Sequence, residues 1–383
     1  MAVHSLLSVV AAIVVLVVMV HPHRAASASS RGRFGVKSVD QGDIAVTGLC
    51  TSATIMHAGY KCQEYHVVTD DGYIISMSRF PQGRNGEGVG SNKQPVLLQH
   101  GLLVDGMTWM LNSANESLAF ILADNGYDVW ISNTRGTRFS RRHLSLDPAY
   151  KEFWDWTWDD LVTDELSATI DFVFKQTGQK LHYVGHSLGT LTALAGFSEG
   201  NQVDKVKSAA MLSPIAYVSH ITTALGNLAA KAFVGEITDL LGIAEFNPFG
   251  APVSIFLKAL CANPGVDCYD LITEMTAIRY GKLAKFDYGS ARSNMEHYGQ
   301  PTPPIYNMSN IPKDLPLFLS YGGKDKLSDV KDVQILLDSL RFHDVDKLDI
   351  QFVKEFAHAD FIMGVTANNI VYNQMMAFFR NHQ

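Results

Sequence analysis

Four cysteines in 383 residues are too few for a disulfide scaffold, and none form a C-x-x-C pair of the zinc or redox kind. Basic runs are also missing. The formal charge is −7, which argues against nucleic acid as a partner. No H-E-x-x-H, G-x-G-x-x-G or P-loop occurs, so no metal, dinucleotide or ATP is implied and no cofactor is expected. Repeats and low-complexity segments are absent. What remains is 47% hydrophobic and 18% charged, the proportions of an ordinary folded globule, long enough for one large domain with an insertion or for two domains.

One apolar run stands out. Leu6–Val20 is broken only by Ser8, and at about 15 residues it is shorter than the roughly 20 a spanning helix needs. Ala26-Ser27-Ala28 follows as a small-x-small cleavage pattern, so residues 1–28 read as a signal peptide and 29–47 as a polar leader. The first five residues carry no Lys or Arg, while Arg24, Arg31 and Arg33 follow the run, which leaves an uncleaved anchor as the alternative. Asn115-Glu116-Ser117 and Asn307-Met308-Ser309 are N-glycosylation sequons. Of three possible cysteine pairings the two local ones, Cys50 with Cys62 and Cys261 with Cys268, are preferred over free buried thiols. These features predict a secreted protein with no stable transmembrane anchor, the vacuole or lysosome being the other destination.

The chain then alternates. Glu64–Thr69 and Tyr73–Phe80 read as a hairpin turning at Asp70-Asp71-Gly72. Apolar strands follow at Pro95–Gln99, Tyr127–Ser132, Leu181–Val184 and Lys207–Leu212, with helices at Glu116–Asn125, Trp158–Lys175 and Leu188–Ser198 between them. Strands apolar on both faces and separated by helices predict an α/β fold, a mostly parallel sheet covered on both sides. The alternation stops over 213–308, where Ile221–Leu241 and Val253–Cys261 have helical patterns. It resumes with strands Leu315–Tyr321 and Leu348–Val353 and helices Asp329–Leu340 and Asn368–Phe379. The expected organisation is a core of 48–212 and 309–383 interrupted by a helical insertion.

Gly185-His186-Ser187-Leu188-Gly189 fits G-x-S-x-G between a predicted strand and helix, the setting that this motif requires. The bare pattern is short enough to recur by chance; the flanking elements make it specific. Gly185 and Gly189 supply the small residues that a strand-to-helix turn needs, leaving Ser187 exposed as a nucleophile. A serine hydroxyl needs a base, and the base an orienting acid, in the chain order Ser, acid, His. His220 and His297 fall in the insertion, His382 at the frayed end, and His343 reads as an exposed loop residue. His358 lies five residues past the last strand and is the expected base. Asp325, directly past Leu315–Tyr321, is the expected acid, with Asp329 as a competitor that instead suits a helix start. Oxyanion donors are expected from the backbone N–H of Leu188 and from that of Leu102 in His100-Gly101-Leu102-Leu103, with His100 packing under the loop.

Other candidates have blander readings. Trp154, Trp156 and Trp158 suit packing around a helix start, with Asp159 and Asp160 at its N-terminal dipole. Arg135, Arg138, Arg141 and Arg142 suit ion pairs with nearby Asp and Glu better than phosphate binding.

With these segments in place, the chain resembles the acid lipase family of α/β-hydrolases, the lysosomal acid, gastric and plant triacylglycerol lipases. The resemblance runs from about Gly59 to the C-terminus and rests on segments such as LLQHGLL, FWDWTWDDLVTDELSATIDFV, LHYVGHSLGT and FAHADFIMG. It implies a triad at Ser187, Asp325 and His358, oxyanion donors at Leu102 and Leu188, and a cap and lid over 213–308. The expected activity is hydrolysis of long-chain fatty acid esters, triacylglycerol first, at a lipid–water surface. Alternatives are a sterol-ester or short-chain esterase or acyltransferase with the same triad, or a non-catalytic lipid binder. Three departures stand out. Leu188 replaces the family's usual Gln, Arg135-Gly136-Thr137 stands for its RGN, and Ile221–Cys268 matches only loosely.

Overall fold

A computed structural model describes residues 48–56, 59–84, 93–102, 104–217, 219–220 and 283–382. The signal segment and leader, the helical patterns Ile221–Leu241 and Val253–Cys261, and the Cys261–Cys268 pair lie outside the described residues.

Helix α1 (Leu49–Met56) precedes the hairpin of β1 (Gln63–Val68) and β2 (Ile74–Phe80). Then come β3 (Pro95–Gln99), α2 (Leu118–Asp124), β4 (Asp128–Asn133), α3 (Leu166–Thr177), β5 (Leu181–His186), α4 (Leu188–Ser198) and β6 (Val206–Leu212). After α5 (Ala291–Tyr298), which lies in the segment predicted as an insertion, follow β7 (Leu317–Gly322), α6 (Val330–Ser339), β8 (Leu348–Val353), α7 (Asp360–Met363) and α8 (Asn373–Asn381). The eight strands form one sheet in the order β1-β2-β4-β3-β5-β6-β7-β8. β1 pairs antiparallel with β2 and β2 with β4; every later pairing is parallel.

Period-2 alternation divides the sheet's apolar residues between two cores. Leu97, Tyr183, Met211 and Leu319 face one side, against Ile170 and Val173 of α3, Leu194 of α4 and Leu336 of α6. Val96, Leu98, Val184 and Leu212 face the other, against Phe120 of α2 and Met375 and Phe379 of α8. This double burial explains why β3, β4 and β5 read as continuous apolar runs.

The predicted helix over 158–175 is helical but not uniform. A π turn at Leu161–Glu165 precedes α3 and ends on the buried Glu165. Both described ends of the segment predicted as an insertion join the core: Ile215, Ala216, Leu283, Tyr306 and Met308 are all buried with the first apolar cluster. His343, expected on an exposed loop, is instead buried, its Nε2 2.7 Å from the Leu315 carbonyl oxygen. That partner lies 28 residues away in sequence, so local polarity could not reveal it. Asp329 caps α6, accepting from Lys331 N–H at 2.8 Å. A disulfide joins Cys50 to Cys62, tying α1 to the start of β1.

Candidate active site

Ser187 stands between β5 and α4 with φ 54° and ψ −117°, a strained conformation for a side-chain-bearing residue. The turn tolerates nothing larger than glycine on either side. A Cβ on Gly185 would lie 2.7 Å from the Gly189 backbone, and one on Gly189 would lie 2.4 Å from the Gln99 carbonyl oxygen. Ser187 is also the N-cap of α4, so Leu188 N–H is among the first groups of a helix, which have no intrahelical acceptor.

The loop after β3 comes down on this turn. A Cβ on Gly101 would sit 2.9 Å from Ser187 Cβ. Beneath it, buried His100 takes two backbone contacts: Thr134 N–H donates to Nε2 at 3.0 Å, and Nδ1 is 2.7 Å from the Gly101 carbonyl oxygen. Nε2 accepts, so the proton is on Nδ1 and is donated to Gly101. Carbonyl and N–H of a trans peptide point in opposite directions, so this bond also fixes the direction of Leu102 N–H.

Asp325 and His358 come from the loops after β7 and β8. The loops are stitched together by Gly323 N–H to Val353 O (3.0 Å) and Lys324 N–H to Phe356 O (3.0 Å). His358 Nδ1 is 2.9 Å from Asp325 Oδ2 and 3.2 Å from Oδ1, and both side chains are buried. Asp325 Oδ1 also accepts from the N–H groups of Leu327 (2.9 Å) and Ser328 (2.8 Å). Burial pushes this carboxyl up, but His358 and the two N–H donors outweigh it and hold it below the usual carboxylate range. An ionised carboxylate only accepts, so the imidazole proton is on Nδ1 and Nε2 presents a lone pair. Nε2 is buried and has no hydrogen-bond partner among the described residues, Ser187 Oγ included.

Of the four arginines expected in ion pairs, Arg135 and Arg138 take carboxylate partners, whereas Arg141 Nε donates to the Gly136 carbonyl oxygen at 3.1 Å. Arg135, fully buried, pairs with Asp71 (2.5 Å) and Glu165 (3.2 Å), and Arg138 pairs with Asp105 (2.7 Å). One cluster was not legible in the sequence. Asp159, expected only to favour a helix dipole, accepts from Phe286 N–H (2.9 Å), Tyr298 OH (2.9 Å) and Tyr306 OH (3.0 Å), tying residues 286–306 to the start of the helical stretch at 158. The F-W-D-W-T-W-D-D run offered no sign of partners more than 120 residues away. Asn115 and Asn307 are both exposed. Among the described residues no group of three or more His, Cys, Asp or Glu is arranged to hold a metal ion, and no helix is long and apolar enough to cross a membrane.

The parallel sheet with helices on both faces and the strained serine between β5 and α4 define an α/β-hydrolase. Residues 51–113 match the family model described as a partial alpha/beta-hydrolase lipase region, and residues 94–233 match that of the alpha/beta hydrolase fold. The chain is 51% identical over 386 residues to triacylglycerol lipase 2 of Arabidopsis thaliana, covering 92% of each. It is 34% identical over 377 residues to the lysosomal acid lipase/cholesteryl ester hydrolase of Homo sapiens, covering 88% of this chain and 92% of the relative. Among solved structures, an esterase from Pyrococcus furiosus superimposes with a TM-score of 0.53 at 15% identity, over 91% of this chain and 99% of that one, a likeness of fold alone. The chain belongs to the acid lipase family of α/β-hydrolases.

Proposed function

We propose that this chain is a serine lipase that hydrolyses carboxylic esters of long-chain fatty acids, triacylglycerol first. The observation that carries the reading is the buried Asp325–His358 pair, whose free Nε2 lone pair belongs to the same sheet edge as the strained Ser187. In the reaction, Ser187 Oγ gives its proton to His358 Nε2 as it attacks the ester carbonyl carbon. Apo triads are commonly loose and close when substrate binds, so the missing Ser187–His358 bond is compatible with this role. Asp325 keeps the Nδ1 tautomer and stabilises the imidazolium. Leu102 and Leu188 N–H groups hold the oxyanion, and each such donor is worth about 3 kcal/mol of barrier. His358 then protonates the leaving alcohol, and water, activated by the same histidine, releases the fatty acid from the acyl-enzyme.

The 51% identical relative, named as a triacylglycerol lipase, supports triacylglycerol as substrate, with the insertion over 213–308 as a cap shielding the acyl chain. The human relative's name also covers cholesteryl esters, which supports sterol esters as the second reading. The Cys50–Cys62 disulfide and the exposed Asn115 and Asn307 side chains support passage through the secretory route, ending outside the cell, with the vacuole or lysosome as the alternative. The test is fatty acid release from emulsified triolein, a cholesteryl ester and a soluble short-chain ester by the protein and by Ser187→Ala. Triolein turnover lost in the variant is expected. Cleavage of the short ester alone would contradict the substrate assignment, and binding without any turnover would contradict the enzyme.

A further inference from the structure

The geometry points to His186, the residue before the nucleophile, as a positioning residue that holds the base His358 by its backbone. The inference rests on the triad reading above and adds a part to it. His186 is buried, and its Nε2 lies 3.0 Å from the carbonyl oxygen of His358. A carbonyl only accepts, so Nε2 carries the proton and donates it. Nδ1 is then a lone pair, and it is buried with no partner among the described residues. It faces Gly101, where a Cβ would come within 3.2 Å. Half of this imidazole's polar capacity is thus buried unmet, a cost that an apolar residue would avoid. The contact made by the other half is the one that offsets it.

A second donor reaches the same oxygen: Ser213 Oγ at 3.3 Å. Ser213 has φ 50°, and it and Ser187 are two of the three non-glycine residues with positive φ among those described. Strained backbone at Ser213 and the satisfied half of the His186 ring therefore converge on one carbonyl group. Their effect on the base is specific. Asp325 sets the rotation of the His358 ring through Nδ1, whereas the carbonyl grip sets the backbone from which the ring projects. Because His186 is bonded to Ser187, the separation of nucleophile and base is fixed across a single peptide link. Otherwise it would depend on the path through β6, β7 and β8. Burial, then the neighbouring His358, hold His186 down to about 3, so it stays neutral and does not oppose the imidazolium that forms beside it.

The test compares His186→Phe, which keeps ring bulk without the donor, with His186→Gln, whose terminal amide reaches to the Nε2 position. Ser213→Ala and Ser187→Ala are measured alongside, all as the full chain on a soluble short-chain ester. A base displaced by about 1 Å costs up to ~100-fold, so His186→Phe is expected to lower kcat about 10- to 100-fold with KM within about twofold. His186→Gln should recover most of that loss, and Ser213→Ala should lower kcat about two- to fivefold. A His186→Phe kcat within twofold of the parent, or equal losses in the Phe and Gln variants, would overturn the inference. If the Phe variant does not fold, an unchanged kcat in Ser213→Ala would overturn it. Activity persisting in Ser187→Ala would instead refute the triad on which it rests.

Discussion

Two ionic clusters, one around the buried Arg135 and one around the buried Asp325, lie past strand ends and differ in how completely they are satisfied. In one, Arg135 donates Nε and its backbone N–H to Glu165, both terminal nitrogens to Asp71, and lies 4.2 Å from the Tyr73 ring centroid. In the other, Asp325 is saturated by His358, Leu327 and Ser328, yet the chain of bonds ends on a buried His358 Nε2 with no partner among the described residues. Buried polar groups are almost always paired, so a closed network reads as structure and an open one as a site prepared for a proton. The carboxyls respond oppositely. Burial and His358 compete at Asp325 with His358 and its companions prevailing, whereas at Glu165 burial outweighs Arg135 and pushes the carboxyl up.

The difference is largest in turnover. Ser187→Ala and His358→Ala should each lower kcat by about 10⁴-fold or more, with melting temperatures within a few degrees of the parent. Asp325→Asn follows, at about 10³- to 10⁴-fold, because the wrong imidazole tautomer then faces the serine. Arg135→Met should invert the pattern. Leaving Glu165 buried without its partner costs about 3 kcal/mol or more in urea unfolding, with the half-exposed Asp71 arm contributing little of that. The kcat of the folded fraction should stay within about tenfold. A triad-sized loss of kcat in Arg135→Met would erase the distinction between the clusters.

The smallest effect lies in the pH dependence of stability, where the two carboxyls differ in sign. Asp325 is held below its ordinary 3.8, so the unfolded chain binds its proton first. Its stabilisation is full above that value and is lost as pH falls through it toward the folded value. Glu165 is held above 4.5, so the folded chain binds its proton first, and its contribution grows as pH falls through the raised value. Urea unfolding of the parent, Asp325→Asn and Glu165→Gln between pH 7 and 3 should therefore show slopes displaced in opposite directions, each by at most ~1.4 kcal/mol per pH unit. Displacement in the same direction would contradict the comparison.

What the sequence disclosed follows the range of the interactions. The Gly185–Gly189 turn is a local device, and strand, serine and helix lie within eighteen residues of one another, so it could be read directly. The meeting of Asp325 and His358 was legible through strand ends, because a parallel sheet brings the loops after β7 and β8 to one edge. Arg135 and Arg138 could be assigned to ion pairs by composition, but Glu165 as the partner of Arg135 depends on how the π turn presents it. Asp159, His343 and the grip of His186 on His358 were illegible for one reason: each partner comes from a distant segment with no periodic or motif signal.

The most direct measurement is covalent capture of the nucleophile. The full chain is treated with a long-chain alkyl p-nitrophenyl phosphonate, digested, and the adduct located by mass spectrometry alongside residual activity on triolein. One adduct per chain on Ser187, formed in step with loss of activity and absent from His358→Ala, is the predicted result. Labelling at another residue, or triolein hydrolysis that persists with Ser187 fully modified, would contradict the account.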